Sequence, residues 1–69
     1  QGSRSVWEYA YELTYKLDTI GLNDARERVY RLWHGFEPHI QEWLWRDRLD
    51  PEVDLWDDII QSAEAAEHA

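Results

Sequence analysis

The stretch LWHGFEPHIQEWLWRDRLDPEVDLW, residues 32–56, contains two helix-like apolar patterns that meet at Gly35 and Pro38. A glycine just past a periodic apolar run, followed by a proline, is typical of one helix ending and the next beginning. Glycine tolerates positive φ, and proline suits a first helical turn. The second pattern stops at Asp50-Pro51, because a residue before proline is disfavoured in the helical region. The stretch therefore predicts two consecutive helices joined by a tight turn.

Apolar residues spaced three and four apart extend this pattern over the whole chain, and no segment alternates in the manner of a strand. Ser5 with Glu8 forms a capping-box pattern, and Gly21 is a natural helix stop. The predicted helices run from Ser3 or Ser5 to about Ile20, from about Asp24 to His34, from Glu37-Pro38 to about Arg48, and from an N-cap at Asp54 or Asp50 onward. We expect an all-α fold, a compact bundle of four short helices, as a single domain over residues 1–69.

The chain has 69 residues, near the lower limit at which a hydrophobic core alone supports a fold. Five Trp, four Tyr and one Phe supply much apolar area per residue. The predicted core consists of Val6, Tyr9, Ala10, Leu13, Leu17 and Ile20; Ala25, Val29, Leu32 and Phe36; Ile40, Trp43 and Leu44; and Trp56, Ile59, Ile60, Ala63 and Ala66 or Glu67.

Composition and charge exclude several classes of function. The net charge is −8, and there is no cysteine, so disulfides and thiolate metal sites are excluded. Residues 1–48 carry eight acids against seven bases, whereas residues 49–69 carry seven acids and no base. This balance disfavours direct nucleic-acid binding, which needs clustered Lys and Arg. The lack of methionine suggests a piece of a longer protein, and the lack of a long apolar run or signal region suggests a soluble, intracellular and cytoplasmic one.

Two sets of residues follow the order known from one family. At the start are Gln1-Gly2, Ser5-Val6 and Tyr9, with Leu13 and Leu17 behind; later come Phe36, Pro38, Ile40-Gln41, Leu44-Trp45-Arg46-Asp47, Leu49, Pro51-Glu52, Trp56 and Ala63-Glu64. The first set is similar to the major homology region, a Gln-Gly turn leading into a first helix. The chain as a whole resembles the C-terminal capsid domain of Gag proteins from gypsy-class LTR retrotransposons and, more distantly, of retroviruses.

The resemblance implies self-association. Such domains dimerise and, with a preceding capsid domain, tile a shell around the element's RNA, so RNA packaging would belong to other parts of the parent protein. The resemblance implies no cofactor, and the expected partner is a second copy of the chain.

A surplus aromatic stripe on the second helix suggests where that contact lies. Val29, Leu32 and Phe36 account for the helix's own core, which leaves Tyr30 and Trp33 for a two-fold interface. Antiparallel pairing of this helix would use the same patch twice. The sequence leaves open a second interpretation, in which Trp33 packs on the first or third helix. The candidate interface residues are Tyr30 and Trp33, with Arg26, Arg31 or Glu37 at the rim. Trp45 is a further candidate, which could equally cover the junction with the fourth helix.

Other constellations predict no chemistry. His34 and His39 lack a third ligand at useful spacing, and the acids 54, 57 and 58 lack the glycine and distal Glu of a calcium loop. No hydroxyl, His and acid form a recognisable triad, so we expect neither a metal site nor an enzyme. The rival function is a domesticated Gag-derived adaptor, nuclear or cytoplasmic, that binds a peptide or partner helix in an apolar groove while remaining monomeric.

Overall fold

The structure is a computed structural model that describes residues 5–69, and all its regular secondary structure in that range is helical. The helices are α1 (Val6–Thr19), α2 (Ala25–Gly35), α3 (Pro38–Arg46) and α4 (Trp56–Glu67). The predicted all-α class and the number of helices are confirmed. No helix of the described range is both long enough and apolar enough to cross a membrane.

Helix α4 is the centre of the fold, because it contacts each of the other three helices. Its Ile59, Ile60 and Ala63 are buried and belong to one continuous core. The other helices and the α2–α3 turn contribute Val6, Tyr9, Ala10, Val29, Leu32, Trp33, Phe36, Ile40 and Leu44 to that core, with Leu13, Trp43, Trp56 and Ala66 partly buried against it. Most of the predicted core is therefore confirmed.

Two predicted core residues are exposed. Ile20 is the C-cap of α1 and points to solvent, and Ala25, the first residue of α2, is exposed as well. The reason is the position of α4: Thr14 and Trp56 line one cleft, so α4 begins opposite the third turn of α1. Ile20 thus lies beyond the end of the helix that would have covered it.

The first two helices begin as predicted. Ser5 is the N-cap of α1: its Oγ accepts the backbone N–H of Glu8 at 3.1 Å and donates to the Glu8 carboxylate at 3.3 Å. The Asp24 carboxylate accepts the Glu27 N–H at 2.9 Å. Such side-chain caps satisfy N–H groups that a helix start leaves unpaired.

The start of α4 differs from the prediction. Its N-cap is Leu55, with no side-chain hydrogen bond, so neither Asp54 nor Asp50 caps it. Instead, the Asp54 carboxylate accepts the backbone N–H of Asp50 at 2.7 Å, and the Asp54 N–H donates to the Asp50 carbonyl at 2.9 Å. These bonds close a tight turn between α3 and α4. Helix α3 ends at Arg46, slightly earlier than predicted, and Arg48 has a left-handed φ of 63°.

Gly35 serves a different purpose from the predicted one. It is the last residue of α2 and has no positive φ; among the glycines of residues 5–69 only Gly21, just past α1, has positive φ, at 74°. A Cβ at Gly35 would lie 1.8 Å from the Tyr9 hydroxyl oxygen. The glycine is needed for this close approach, not for a turn.

Candidate self-association surface

Trp33 belongs to the core. It is fully buried, together with Val29 and Leu32 on the same helix, and its ring meets that of Trp45 edge-on at a centroid distance of 4.8 Å. Of the two interpretations of Trp33, packing on the third helix is therefore the one that the structure shows, and its assignment to an interface stripe is corrected. The physical reason is that positions 29, 32, 33 and 36 share one helix face at three-and-four spacing, and the bundle covers all of it.

Arg26 is used within the chain. Its guanidinium donates three hydrogen bonds to backbone carbonyls of the turn between α3 and α4: to Pro51 at 2.7 Å, to Asp54 at 2.8 Å and to Val53 at 3.2 Å. Arginine suits this task because its donors are fixed in one plane. Arg26 fixes the turn against α2. Three of the five N–H donors of its guanidinium are used within the chain, which corrects its predicted position at the interface rim.

Tyr30 lies beside the same turn. It is half-buried, and its ring stacks on the His34 ring. The two ring centroids are 6.0 Å apart, and the angle between the ring planes is 5°. Partial burial, then the charge of Glu52 and a hydrogen bond to its carboxylate, raise the pKa of the Tyr30 hydroxyl. Glu37 is half-buried elsewhere, with its carboxylate 3.4 Å from the His39 ring.

The predicted interface set is therefore not one surface. Arg26 and Tyr30 flank the turn between α3 and α4, Trp33 meets Trp45, and Glu37 contacts His39. Of the set, Trp45 is the large apolar residue with a mostly free surface, at 54% exposure.

The residues of the major-homology-like start have structural roles where they are described. Ser5 caps α1, as given above. The Tyr9 hydroxyl donates to the Leu32 carbonyl at 3.0 Å, which joins α1 to the end of α2. Gln1 and Gly2 lie outside the described residues.

The largest exposed aromatic feature lies on α1 and was not predicted. Trp7, Tyr11 and Tyr15, which we call the aromatic row, are 45%, 72% and 74% exposed. Their spacing of four places them along one side of the helix, and the Trp7 and Tyr11 ring centroids are 6.4 Å apart. The signal was available in the sequence: a second aromatic series at i, i+4 and i+8, out of phase with the buried stripe of the same helix.

Contacts with α4 fix one end of the aromatic row. The Trp7 indole N–H donates to the Glu64 carboxylate, and the Val6 backbone N–H donates to the Glu67 carboxylate at 3.0 Å. The second bond places an acid at the N-terminus of α1, where the helix dipole favours it. These bonds fix the N-terminal turn of α1 against α4, while about half of the Trp7 surface and most of the Tyr11 and Tyr15 surfaces remain exposed.

A separate cleft of about 270 Å³ opens between α1, α2 and α4, lined by Thr14, Ala25, Arg28 and Trp56. Its shape is supported by Arg28, whose Nε donates to the Leu22 carbonyl at 2.7 Å and whose Nη2 pairs with Asp18. This volume is just below the usual range for small-molecule sites and matches a single large side chain.

Within residues 5–69, no three His, Asp or Glu side chains are placed to hold a metal ion. Compared with models of known protein families, with curated proteins and with solved structures, the chain matches none of them.

Proposed function

We propose that the chain is a structural self-assembly domain of a retrotransposon-type Gag protein and associates with copies of itself to help build a capsid-like shell. The observation that carries the proposal is the aromatic row. Its rings are not needed to complete the core, yet they expose contiguous apolar surface to water. In proteins, surface of this kind is typical of contact sites.

The Gag assignment is supported by the order of residues described above. It is also supported by the four short helices into which those residues fold. A Gag-type function would place the chain in the cytoplasm, or in the nucleus if a host has domesticated the gene. The shell would enclose RNA bound by other parts of the parent protein, because the charge of −8 opposes contact between this domain and phosphate groups.

The test is sedimentation velocity over a wide concentration range, with the wild type and a variant carrying Tyr11→Gln and Tyr15→Gln. Glutamine keeps good helix propensity, so the fold should survive. We expect concentration-dependent association of the wild type and a marked loss in the variant. Val53→Gln is the matched control, because Val53 is 70% exposed but lies far from α1 in the chain. A wild type that stays monomeric at millimolar concentration would contradict the proposal.

A second candidate function rests on the cleft between α1, α2 and α4. A Gag-derived adaptor could hold one aromatic or branched apolar side chain of a peptide between Thr14 and Trp56. Such a module would be monomeric, and peptide binding would change the fluorescence of Trp56. A Thr14→Trp variant, which fills the cleft, should abolish that change and leave any self-association intact.

A further inference from the structure

We propose that the aromatic row pairs with the same row of a second copy, antiparallel, across a two-fold axis at Tyr11. The pairing presupposes the self-association proposed above and specifies its surface and its direction. It replaces the antiparallel pairing of α2 expected from the sequence, since Trp33 is buried.

The spacing of the row suits a two-fold contact. Tyr11 lies four residues from both Trp7 and Tyr15, so a two-fold axis at Tyr11 brings Trp7 of one copy against Tyr15 of the other, twice. An interface between identical copies must use one patch in this self-complementary way. Rows of residues four apart are also the ridges along which helices most often pack.

Charges beside the row select the antiparallel direction. Glu8 follows Trp7 by one position and Lys16 follows Tyr15 by one, so both lie on the same flank of the row, and both are exposed. When Trp7 meets Tyr15 of the second copy, Glu8 comes beside Lys16 of that copy. The two-fold axis generates this Glu8–Lys16 pair on both halves of the interface. In a parallel pair the two-fold axis runs along the helices, so the Glu8 and Lys16 flanks of the two copies lie on opposite sides of the contact and neither charge gains a partner. Lys16 makes no ion pair with another residue of the range 5–69, so its amine is available.

The area that the rings offer matches a weak dimer. Taking about 200 Å² for an aromatic side chain, the three exposed fractions amount to roughly 400 Å² per copy and about 800 Å² for the pair. Stable interfaces bury about 1,200–2,000 Å² in total, so flanking residues must contribute and the isolated contact should be transient. Weak contacts of this kind gain strength when many copies are held in one assembly.

Charge reversal tests the direction of the pairing. Glu8→Lys and Lys16→Glu each place two like-charged pairs beside the row, and we expect each to raise the dimer dissociation constant by about 3- to 30-fold. The double variant restores opposite charges and should return to the wild-type value. Glu8→Lys also makes the net charge of the chain less negative, which by itself would favour association. A weaker dimer in this variant therefore points to the local contact with Lys16. Circular dichroism of each variant establishes that α1 remains folded.

A single cysteine tests the position of the axis. The chain has no cysteine, so Tyr11→Cys introduces a unique thiol. At an interaxial distance of about 9 Å, two helices of radius about 2.3 Å bring residues on the axis to about 4.4 Å between Cα atoms, at the short end of the disulfide range. We expect oxidised glutathione to link Tyr11→Cys chains much faster than Val53→Cys chains, the control on an exposed turn.

The outcomes separate the pairing from the proposed function. A wild type that does not associate overturns both. Association that is unchanged by the Glu8 and Lys16 reversals, or cysteine linking no faster at position 11 than at 53, overturns the pairing and leaves self-association standing. Weakening by both single reversals without recovery in the double variant also overturns the antiparallel arrangement. Binding of a Lys- and Arg-rich peptide by a monomeric protein, lost in Tyr11→Gln, would show that the row serves a basic partner instead.

Discussion

Replacing Gly35 with alanine should destabilise the protein, although helix propensity alone predicts the opposite. Gly35 has an ordinary helical backbone, so alanine there would favour α2 by about 1 kcal/mol. The opposing effect is steric: the added Cβ would lie 1.8 Å from the hydroxyl oxygen of Tyr9 and 2.8 Å from its Cζ. Tyr9 is buried and its ring packs on Phe36 at a centroid distance of 5.1 Å, so the ring has little room to retreat.

The magnitude follows from what the displaced ring loses. Its hydroxyl satisfies the Leu32 carbonyl near the end of α2, where the Phe36 N–H bonds instead to the carbonyl of Trp33. Breaking that buried bond costs about 1–3 kcal/mol, and forcing the ring out of its site costs a further 1–3 kcal/mol or so. Against a helix gain of up to about 1 kcal/mol, we expect Gly35→Ala to lower the free energy of unfolding by about 1–5 kcal/mol.

Urea unfolding followed by circular dichroism measures this change, and a double-mutant cycle with Tyr9→Phe assigns it. Tyr9→Phe alone should cost about 1 kcal/mol, and in its background Gly35→Ala should cost at least about 1 kcal/mol less than in the wild type, because the nearest clashing atom is gone. A Gly35→Ala variant as stable as the wild type, or additive effects of the two substitutions, would refute the close approach.

Three further predictions concern the corrected residues. Arg26→Ala should lower the free energy of unfolding by about 1–3 kcal/mol in urea titrations because three carbonyl contacts are lost, whereas the exposed control Arg31→Ala should change it by less than about 0.5 kcal/mol. Trp33→Ala should cost about 3–5 kcal/mol and abolish most helical dichroism at 25 °C, rather than merely dissociate a dimer. The raised pKa of Tyr30 means that the folded protein favours the neutral phenol. The contribution of this phenol to stability is complete below the ordinary tyrosine pKa of 10.0. It is lost as the pH rises through the higher pKa that Tyr30 has in the folded protein. Tyr30→Phe, which lacks this titration and the bond to Glu52, should therefore lose less stability than the wild type as the pH rises above about 10; equal losses would exclude Tyr30 as the group responsible.

Local chemistry determined what the sequence predicted well. The caps at Ser5 and Asp24 and the break at Asp50-Pro51 depend on neighbouring residues alone, and the structure bears them out. Asp54 was misassigned because two partners compete for its carboxylate. A helix start offers it N–H groups, but in the structure the carboxylate accepts the N–H of Asp50 in the turn instead.

Long-range contacts determined what the sequence missed. Nothing local to Gly35 reveals the hydroxyl of Tyr9, which lies 26 positions away, and the same holds for Arg26 and the carbonyl of Pro51. The hydrogen bonds of Arg26 to the turn between α3 and α4 argue against its predicted place at the interface rim. Only the folded bundle shows these bonds. A periodic pattern shows which side chains share a face, whereas the placement of α4 decides which faces are covered.

This distinction explains why the interface expected from the sequence and the interface proposed from the exposed aromatic row lie on different helices. On α2 the bundle buries Trp33 together with Val29 and Leu32, and the Trp33 ring packs on Trp45. On α1 the bundle covers only the stripe around Tyr9, and Tyr11 is left outside. Substitutions at Tyr11 should therefore change association with little effect on the free energy of unfolding, while those at Gly35 should do the reverse. Because the two properties reside on opposite sides of α1, they can be altered independently, and a loss of assembly in a Tyr11 variant is not attributable to unfolding.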